Sequence, residues 1–500
     1  MTHPRRLLAL ALPAALTAVQ PALADVTAAE VWDRWKATAA QSNQTITAGS
    51  ETMADGVLTL TDVTASIDFP EGALVAELGE VKLEELENGS VRIVSAPSYP
   101  MRIISSGATD EDFEMTLIVS QPGNSVIASG DADATSYAYS LPVVDVTLTE
   151  FLVDAEPFEM EVAFGAQGVG GTFSAAEGPQ ALLTNALTID GLAMRLEVED
   201  PQTPGSIINM TFSLDDLVTD STGTMSSMSA AQPLGALLAQ GMTSRGGMRH
   251  GQMLFSMSAT GTGDDFTLNG SVASGTLEAD LGDGGLTYGG SNRDIALALS
   301  GASIPFPSVG FTIAESSGEI SMPLTPSDEA AQFGLTSRIS GLEMDEQLWA
   351  LFDPTGVLPR DPASLLIDIS GLGNWFVDIT DPAQAQALEN SGAMPGQLEG
   401  IALNALRLSL LGTELNGTGD FAFDNSGDVP APEGTITLTL EGSNALIDKL
   451  IGMGLVPEDQ AMGARMMLGL FARPTGEDEL TSTIQFNPDG SVLANGQRIR

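Results

Sequence analysis

The chain has 500 residues, with 66 acidic and 19 basic side chains, a net charge of −47 and no cysteine. A charge of this sign excludes nucleic acid as a partner and opposes docking on anionic lipid by charge alone. No disulfide is available, yet 43% hydrophobic residues are too many for a disordered chain, so the fold must rest on its own packing.

The N-terminus predicts an exported protein. Arg5 and Arg6 precede the apolar run LLALALPAALTAV, and a small-x-small ALA sequence ends just before Asp25. These are the parts of a secretory signal peptide, and the apolar run is shorter than the roughly 20 residues that a membrane span needs. We predict cleavage between Ala24 and Asp25. The mature chain would be periplasmic, with no transmembrane helix and a net charge of −49, since the leader removes two arginines.

A short helix is predicted where the mature chain begins. Thr27 and Glu30 form the sequence of a capping box, in which each residue's side chain bonds the other's backbone N–H. The apolar-periodic run VWDRWKATAAQ follows directly.

Most of the remaining sequence predicts strands, because apolar and polar residues alternate along it. The clearest runs are 63–69, 158–164, 192–198, 208–214, 253–259 and 436–440. Turns are predicted at ADG 54–56, ENG 87–89, LNG 268–270, PDG 488–490 and ANG 494–496, and also at GAQGVGG 165–171, which lacks the Lys-Ser/Thr of a phosphate loop. The predicted fold class is mainly β: long antiparallel, meandering and curved sheets in two halves, with a few short peripheral helices.

Helical patches divide the chain. MSAAQPLGALLAQGM and the glycine-rich SRGGMRHGQ predict a seam at 228–252, between a helix plus β-rich half at 25–227 and a second β-rich half at 253–500. The second half is predicted to contain a helical hairpin, from SNALIDKLIGMGLV and PEDQAMGARMMLGLFAR, and to end in a strand hairpin. Pro457 is expected at the first position of the second helix.

No catalytic, cofactor or metal residues are predicted, and the protein is not expected to be an enzyme. His250 is the one histidine beyond the leader, too few for a histidine triad or the usual zinc sites. Calcium stays open at LGDGGLTYGGSN, residues 281–292, which resembles one copy of a calcium-binding repeat. Two alternatives remain: a carboxylate-dependent glycan hydrolase, although aromatic residues are scarce, and an outer-membrane β-barrel, although the aromatic girdles are missing.

The stretch LWALFDPTGVLPRDPASLLIDISG, residues 348–371, predicts a corner between a helix and a strand. Asp345 can cap the helix, and Asp353-Pro354 ends it. Leu348, Leu351 and Phe352 are expected on one packed side of the helix. Arg360 lies between Asp353 and Asp361, and a guanidinium can bond two acidic turns at once, so we predict a structural corner made by Asp353, Arg360 and Asp361. The functional alternative makes Arg360 a contact for an anion or lipid headgroup.

Three segments carry a resemblance. Residues 319–371, EISMPLTPSDEAAQFGLTSRISGLEMDEQLWALFDPTGVLPRDPASLLIDISG, resemble the uncharacterised exported family called domain of unknown function 2125, as do DVTAAEVWDRWKATAAQSNQTITAGSE and FNPDGSVLANGQRIR. The resemblance is expected to span nearly the whole mature chain, and it brings no catalytic residues. It implies a β-rich protein of the Gram-negative envelope, a class in which some members hold lipids in β-grooves. The expected role is a structural or binding module, with an apolar groove for lipid or a hydrophobic envelope partner.

Overall fold

A computed structural model describes residues 26–41, 44–69, 72–105, 112–131, 134–176, 181–200, 203–225, 234–261, 263–282, 284–391, 394–427 and 429–500. Strands dominate these residues, and every pairing between strands is antiparallel. The predicted mainly β class is therefore confirmed. The predicted cleavage site, Ala24 and Asp25, lies outside the described residues.

The strands of the first half are β1 Gln44–Thr47, β2 Ser50–Ala54, β3 Val57–Phe69, β4 Gly72–Glu85, β5 Val91–Ser95, β6 Ser98–Ser105, β7 Phe113–Ser120, β8 Ser125–Gly130, β9 Ala134–Val153, β10 Glu156–Pro157, β11 Met160–Ala176, β12 Ala181–Glu199 and β13 Ile207–Met225. Those of the second half are β14 Thr243–His250, β15 Met253–Thr260, β16 Phe266–Val272, β17 Ser274–Gly282, β18 Gly285–Gly301, β19 Val309–Pro323, β20 Ala331–Met344, β21 Ala363–Trp375, β22 Gly396–Leu410, β23 Thr413–Asp424, β24 Ala431–Glu441, β25 Arg473–Gly476, β26 Glu479–Phe486, β27 Val492–Ala494 and β28 Gln497–Arg498. The helices are α1 Ala28–Gln41, α2 Leu234–Ala239, α3 Glu346–Ala350, α4 Pro382–Ser391, α5 Ser443–Gly452 and α6 Glu458–Phe471.

All of these strands join one sheet, where the sequence predicted two. From β9 onward the order follows the chain as a meander, with β13 pairing β12 on one side and both β14 and β15 on the other. The short strands β14 and β15 lie end to end and together pair along the length of β13. The glycine-rich segment of the predicted seam is β14 itself, so strand pairing continues through it.

A compact core lies at the first end of the sheet, under α1. The predicted capping box is present: Thr27 N donates to Glu30 Oε2 at 2.8 Å, and Glu30 N donates to Thr27 Oγ1 at 3.3 Å. Trp32 of α1 is 1% exposed and packs on Leu60 and Leu83, which are fully buried. A helix laid over a sheet removes both apolar surfaces from water, which makes this region a conventional two-layer core.

A line of left-handed residues crosses the sheet near the middle of its long strands. Gly168, Asp216, Asp294 and Gly341 all have positive φ, at 62°, 52°, 49° and 68°. Gly168 and Asp216 align through the intervening β12, and Asp294 and Gly341 align through β19. Glycine and aspartate tolerate this backbone region better than most residues, so their recurrence has a conformational cause.

Near the first edge of the sheet a left-handed residue accompanies a shift of register. Leu60 and Val63 lie on either side of Asp62, whose φ is 49°, and the pairing of β3 with β4 shifts between them. Both residues belong to the α1 core despite their odd spacing. Across the line of left-handed residues in β11 to β13 the register is unbroken, although the apolar residues of β12 change there from odd numbers, such as Leu187, to even numbers, such as Leu192.

Several turn predictions are confirmed and two are wrong. Asp55-Gly56 and Asn495-Gly496 have positive φ and join neighbouring strands as predicted. LNG 268–270 instead lies inside β16, and GAQGVGG 165–171 lies inside β11. These glycines serve the packing of the sheet and its line of left-handed residues, which a local turn pattern does not reveal.

The predicted helical segments near the end of the chain are helical in the structure. The hairpin near the end of the chain is α5 and α6, with Pro457 at the N-cap of α6, one residue earlier than expected. Of the helical patch at 228–242, residues 226–233 lie outside the described part, and 234–239 form α2. None of the helices in the described ranges has the length and apolar character needed to cross a bilayer.

Candidate functional site

A continuous row of apolar residues crosses nine strands at right angles to them. Each member lies opposite the next in the strand register, so all of them share one face of the sheet. The row consists of Val146, Phe164, Met194, Phe212, Phe255, Gly270, Leu297, Phe311 and Met344. At about 4.8 Å between strands, it runs for about 38 Å along the sheet.

A second row lies two residues away on the same face. Its members are Val162, Leu196, Met210, Met257, Leu268, Leu299 and Val309. We call the two rows together the apolar face. The residues between them, such as Arg195, Thr211 and Ser256, point to the opposite face because successive side chains alternate.

The apolar face has no second layer of protein over it in the described part of the chain. Met194, Met210 and Leu299 remain 38%, 36% and 37% exposed, in contrast to the fully buried leucines under α1. Exposed apolar surfaces of this extent are, in proteins generally, typical of interaction sites.

A cleft of about 1250 Å3 follows the first row. Its lining takes the row residue and its neighbours from most strands between β9 and β20, for example Thr211, Phe212 and Ser213. One cleft can draw on so many strands because the sheet curves. Its volume exceeds the roughly 300–1,000 Å3 of pockets for small ligands, and its lining is mostly apolar.

Glycines inside the strands make room for aromatic rings. A Cβ on Gly270 would collide with the ring of Phe255 on the neighbouring strand, and one on Gly371 would collide with the ring of Phe333. A ring that covers a strand glycine shields its backbone and fixes the register of the two strands. This packing explains why LNG 268–270 is not a turn.

The corner at 345–361 is built around a buried carboxylate. Asp345 caps α3 as predicted, accepting a hydrogen bond from Leu348 N at 2.7 Å. Asp353 is fully buried and accepts hydrogen bonds from Val357 N and Leu358 N, both at 2.9 Å. The side chain packed inward is that of Trp349, whereas Leu351 and Phe352 are 52% and 37% exposed. The expected packed side of the helix was therefore wrong, because Trp349 turns toward the corner.

Arg360 completes this corner on one side. Its Nη2 lies 3.3 Å from Asp353 Oδ2 and donates to Asp353 O at 3.1 Å, and its guanidinium lies 4.2 Å from the centre of the Trp349 ring. Asp361 is exposed and forms no ion pair within the described ranges. The contacts of Arg360 thus join the Asp353 turn to α3.

Neighbouring groups stabilise the ionised form of Asp353. Burial alone raises the pKa of this carboxyl, but the N–H groups of Val357 and Leu358 and the Arg360 guanidinium outweigh burial and lower the pKa below its ordinary value. Asp353 therefore stays ionised at neutral pH.

In the part of the chain that the structure describes, no group of three or more His, Asp or Glu side chains has an arrangement that could hold a metal ion. His250, in β14, bonds the carbonyl of Gly251 at 2.8 Å and lies beside Gly275. The acidic side chains of the polar face are spread along strands; the Arg195 and Glu197 pair on β12 is an example.

Comparison with known protein families gives a match for the C-terminal half of the chain. Residues 251–499 match the family described as "Uncharacterized protein conserved in bacteria (DUF2125)". The C-terminal half of the chain therefore belongs to this family. The match begins at β15 and includes the corner, so the expected likeness of the N-terminal segment lies outside it. No curated protein and no solved structure matches the chain.

Proposed function

We propose that this DUF2125 protein is a non-enzymatic binding protein of the periplasmic envelope, and that its apolar face binds lipid acyl chains. The observation that carries the proposal is the register of the two apolar rows. Nine neighbouring strands present Phe, Met, Leu and Val side chains on one face without covering them.

The dimensions suit an acyl chain. One leaflet of a bilayer has a hydrocarbon depth of about 15 Å, half of the roughly 30 Å core, and the first row is more than twice as long. The rows offer no fixed polar partner along their length, so they select for apolar surface and not for a pattern of hydrogen bonds. Methionine side chains such as Met194 and Met210 adapt to flexible chains of different shape.

A second copy of the protein is a less suitable occupant. Each chain carries a net charge of −47, and bringing two such chains face to face adds strong repulsion. An uncharged acyl chain meets no such cost.

Native mass spectrometry of the protein isolated from the periplasm tests the proposal. We expect co-purified lipid that is released in organic solvent. Met194→Glu and Met210→Glu should each lower lipid occupancy about tenfold, because a carboxylate on the apolar face must be desolvated by the bound chain.

Ser258→Glu is the matched control. Ser258 follows Met257 of the second row, but its side chain lies on the opposite face and it does not line the cleft. Lipid occupancy should remain at the level of the unmodified protein. A loss of lipid with Ser258→Glu but not with Met210→Glu would overturn the assignment of the apolar face, and an absence of any lipid would overturn the proposed function.

Periplasmic location has its own test. N-terminal sequencing of the exported protein should begin at Asp25, since the small residues at 22–24 precede it. A retained Met1 in the membrane fraction would contradict the proposed location.

A further inference from the structure

The helical hairpin α5–α6 projects from the last strands of the sheet. Together with the short β25 it connects β24 to β26, and these two strands pair directly without it. Its base is fixed: Asp478 accepts hydrogen bonds from Asn444 N and Ala445 N at 2.9 Å, and the Phe471 carbonyl accepts from Ser482 Oγ at 2.6 Å. The hairpin is therefore an insertion between paired strands, and hydrogen bonds fix its base.

One side of α6 is held against α5. Arg465 donates to Asp448 Oδ1 at 2.6 Å and to the carbonyl of Asn444 at 3.3 Å. Ala461, one turn earlier, is buried. At 100° per residue, these two positions fix which side of α6 faces inward.

Four apolar residues of α6 beyond its first turn are exposed, on the sides that these contacts leave free. Met462 and Met466 are each 71% exposed, Leu470 is 55% exposed and Met467 is 53% exposed. Residues 462, 466 and 470 follow each other at intervals of four and so form one stripe along the helix. A surface helix ordinarily shows its polar side to water, and here the order is reversed.

The charge around this hairpin differs from the rest of the chain. Residues 443–500 contain seven acidic and five basic side chains, a net charge of −2 in a chain of −47. Three exposed arginines, Arg473, Arg498 and Arg500, lie at or near the base of α6, where Asn495 donates to the Phe471 carbonyl. This end of the molecule therefore carries little net negative charge to repel phosphate groups.

We propose that α6 docks on a phospholipid bilayer, with Met462, Met466, Met467 and Leu470 in the outer hydrocarbon region and the basal arginines near headgroup phosphates. An amphipathic helix binds a membrane surface by burying its apolar side beneath the headgroups. Arginine binds phosphate through several hydrogen bonds at once. This docking is independent of acyl-chain binding by the sheet and brings the protein to a source of lipid.

Co-sedimentation with phosphatidylcholine vesicles tests the proposal. The protein used begins at Asp25, because the apolar leader would itself insert into vesicles. We expect the unmodified protein to sediment with vesicles, and Met466→Gln/Leu470→Gln to bind at least about tenfold more weakly, because two buried apolar side chains are lost. Both residues are exposed, so the melting temperature should not change.

Met53→Gln/Met394→Gln is the matched control, since both methionines are 51% exposed and lie outside the hairpin. This variant should bind vesicles as the unmodified protein does. Equal vesicle binding by the hairpin variant, or no binding by the unmodified protein, would overturn the docking. Light scattering would also overturn it if the unmodified protein is a dimer, the hairpin substitutions convert that dimer to a monomer, and neither protein binds vesicles. Native mass spectrometry of the hairpin variant should still detect lipid on the sheet, which separates a failure of docking from a failure of the proposed function.

Discussion

Two regions of the sheet share the same alternation of apolar and polar residues but differ in how deeply the apolar residues are buried. Under α1, strands β3 to β5 bury Leu60, Leu83 and Val91 completely. Across β11 to β19, residues of the same kind and spacing are only partly buried, and Met194 and Leu299 are 38% and 37% exposed. Alternation makes an apolar face in both places, but it becomes a core only where a second layer covers it. In the uncovered part the apolar side chains remain partly in contact with water.

The largest expected difference is in the packing of the two regions. Trp32→Ala should lower the free energy of unfolding of the α1 region by about 3–5 kcal/mol, because the large side chain leaves a cavity. Phe255→Ala, in the uncovered region, should cost only about 1–2 kcal/mol, because its ring is already partly in water. Urea titration followed by amide hydrogen exchange in β3–β5 and β15–β16 measures each region separately. Equal costs at the two sites would remove the distinction between the covered core and the uncovered face.

The corner at Arg360 is a small packed unit in the otherwise open second half. Arg360→Ala should lower the free energy of unfolding by about 1–3 kcal/mol, through the lost contacts with Asp353 and Trp349. Lipid occupancy should not change. Arg360→Lys serves as the control that keeps the charge but loses the stacking, and should recover part of the stability. An unchanged melt with lost ligand binding would instead make Arg360 a binding residue.

The same corner predicts a pH dependence. The pKa of Asp353 is lower in the folded protein, so its ionised form contributes fully above the ordinary aspartate pKa of about 3.9 and is lost as the pH falls through the folded-state value. The stability difference between the unmodified protein and Asp353→Asn should therefore be constant near neutral pH and shrink below about pH 4. Chemical denaturation at a series of pH values measures it. A difference that grows on acidification would contradict the assigned direction.

The line of left-handed residues can be tested where the sheet is uncovered. Gly168→Ala should destabilise the protein by about 1 kcal/mol or more, since φ is 62° there and the new Cβ would meet the side chain of Asp190. Gly170→Ala, two residues away, is the control: its Cβ would be 3.7 Å from Thr188 Oγ1, an ordinary contact. Thermal melts of both variants decide the point, and equal melting temperatures would show that the line does not depend on glycine.

The smallest effect expected is that of salt. The excess acidic side chains, a net charge of −47, repel one another. The Debye length over which they do so shortens from about 30 Å at 0.01 M salt to about 8 Å at 0.15 M. The melting temperature should rise by a few degrees over this range. KCl should act as NaCl does if screening is the cause. A flat or falling melting temperature would show that the acidic side chains are already neutralised by partners.

Local patterns predicted the elements whose causes are local. The capping box at Thr27, the cap of α3 by Asp345 and the turn at Asn495-Gly496 depend on a few neighbouring residues, and all three are present. Gly270 was misassigned because its reason lies on another strand, in the ring of Phe255. Trp349, not Leu351, packs inward because Arg360, eleven residues later, stacks on it.

The sequence by itself determined the alternation, the predicted export signal and the excess of acid, because each depends on residue type and order alone. Only the tertiary structure decided that the strands form one sheet, that Phe164, Phe212, Phe255 and Phe311 fall in a single row, and that α1 covers one end and leaves the rest open. Strand register fixes which distant residues share a row, and it depends on how all of these strands pair with one another. The apolar face arises from that register, and no single strand contains it.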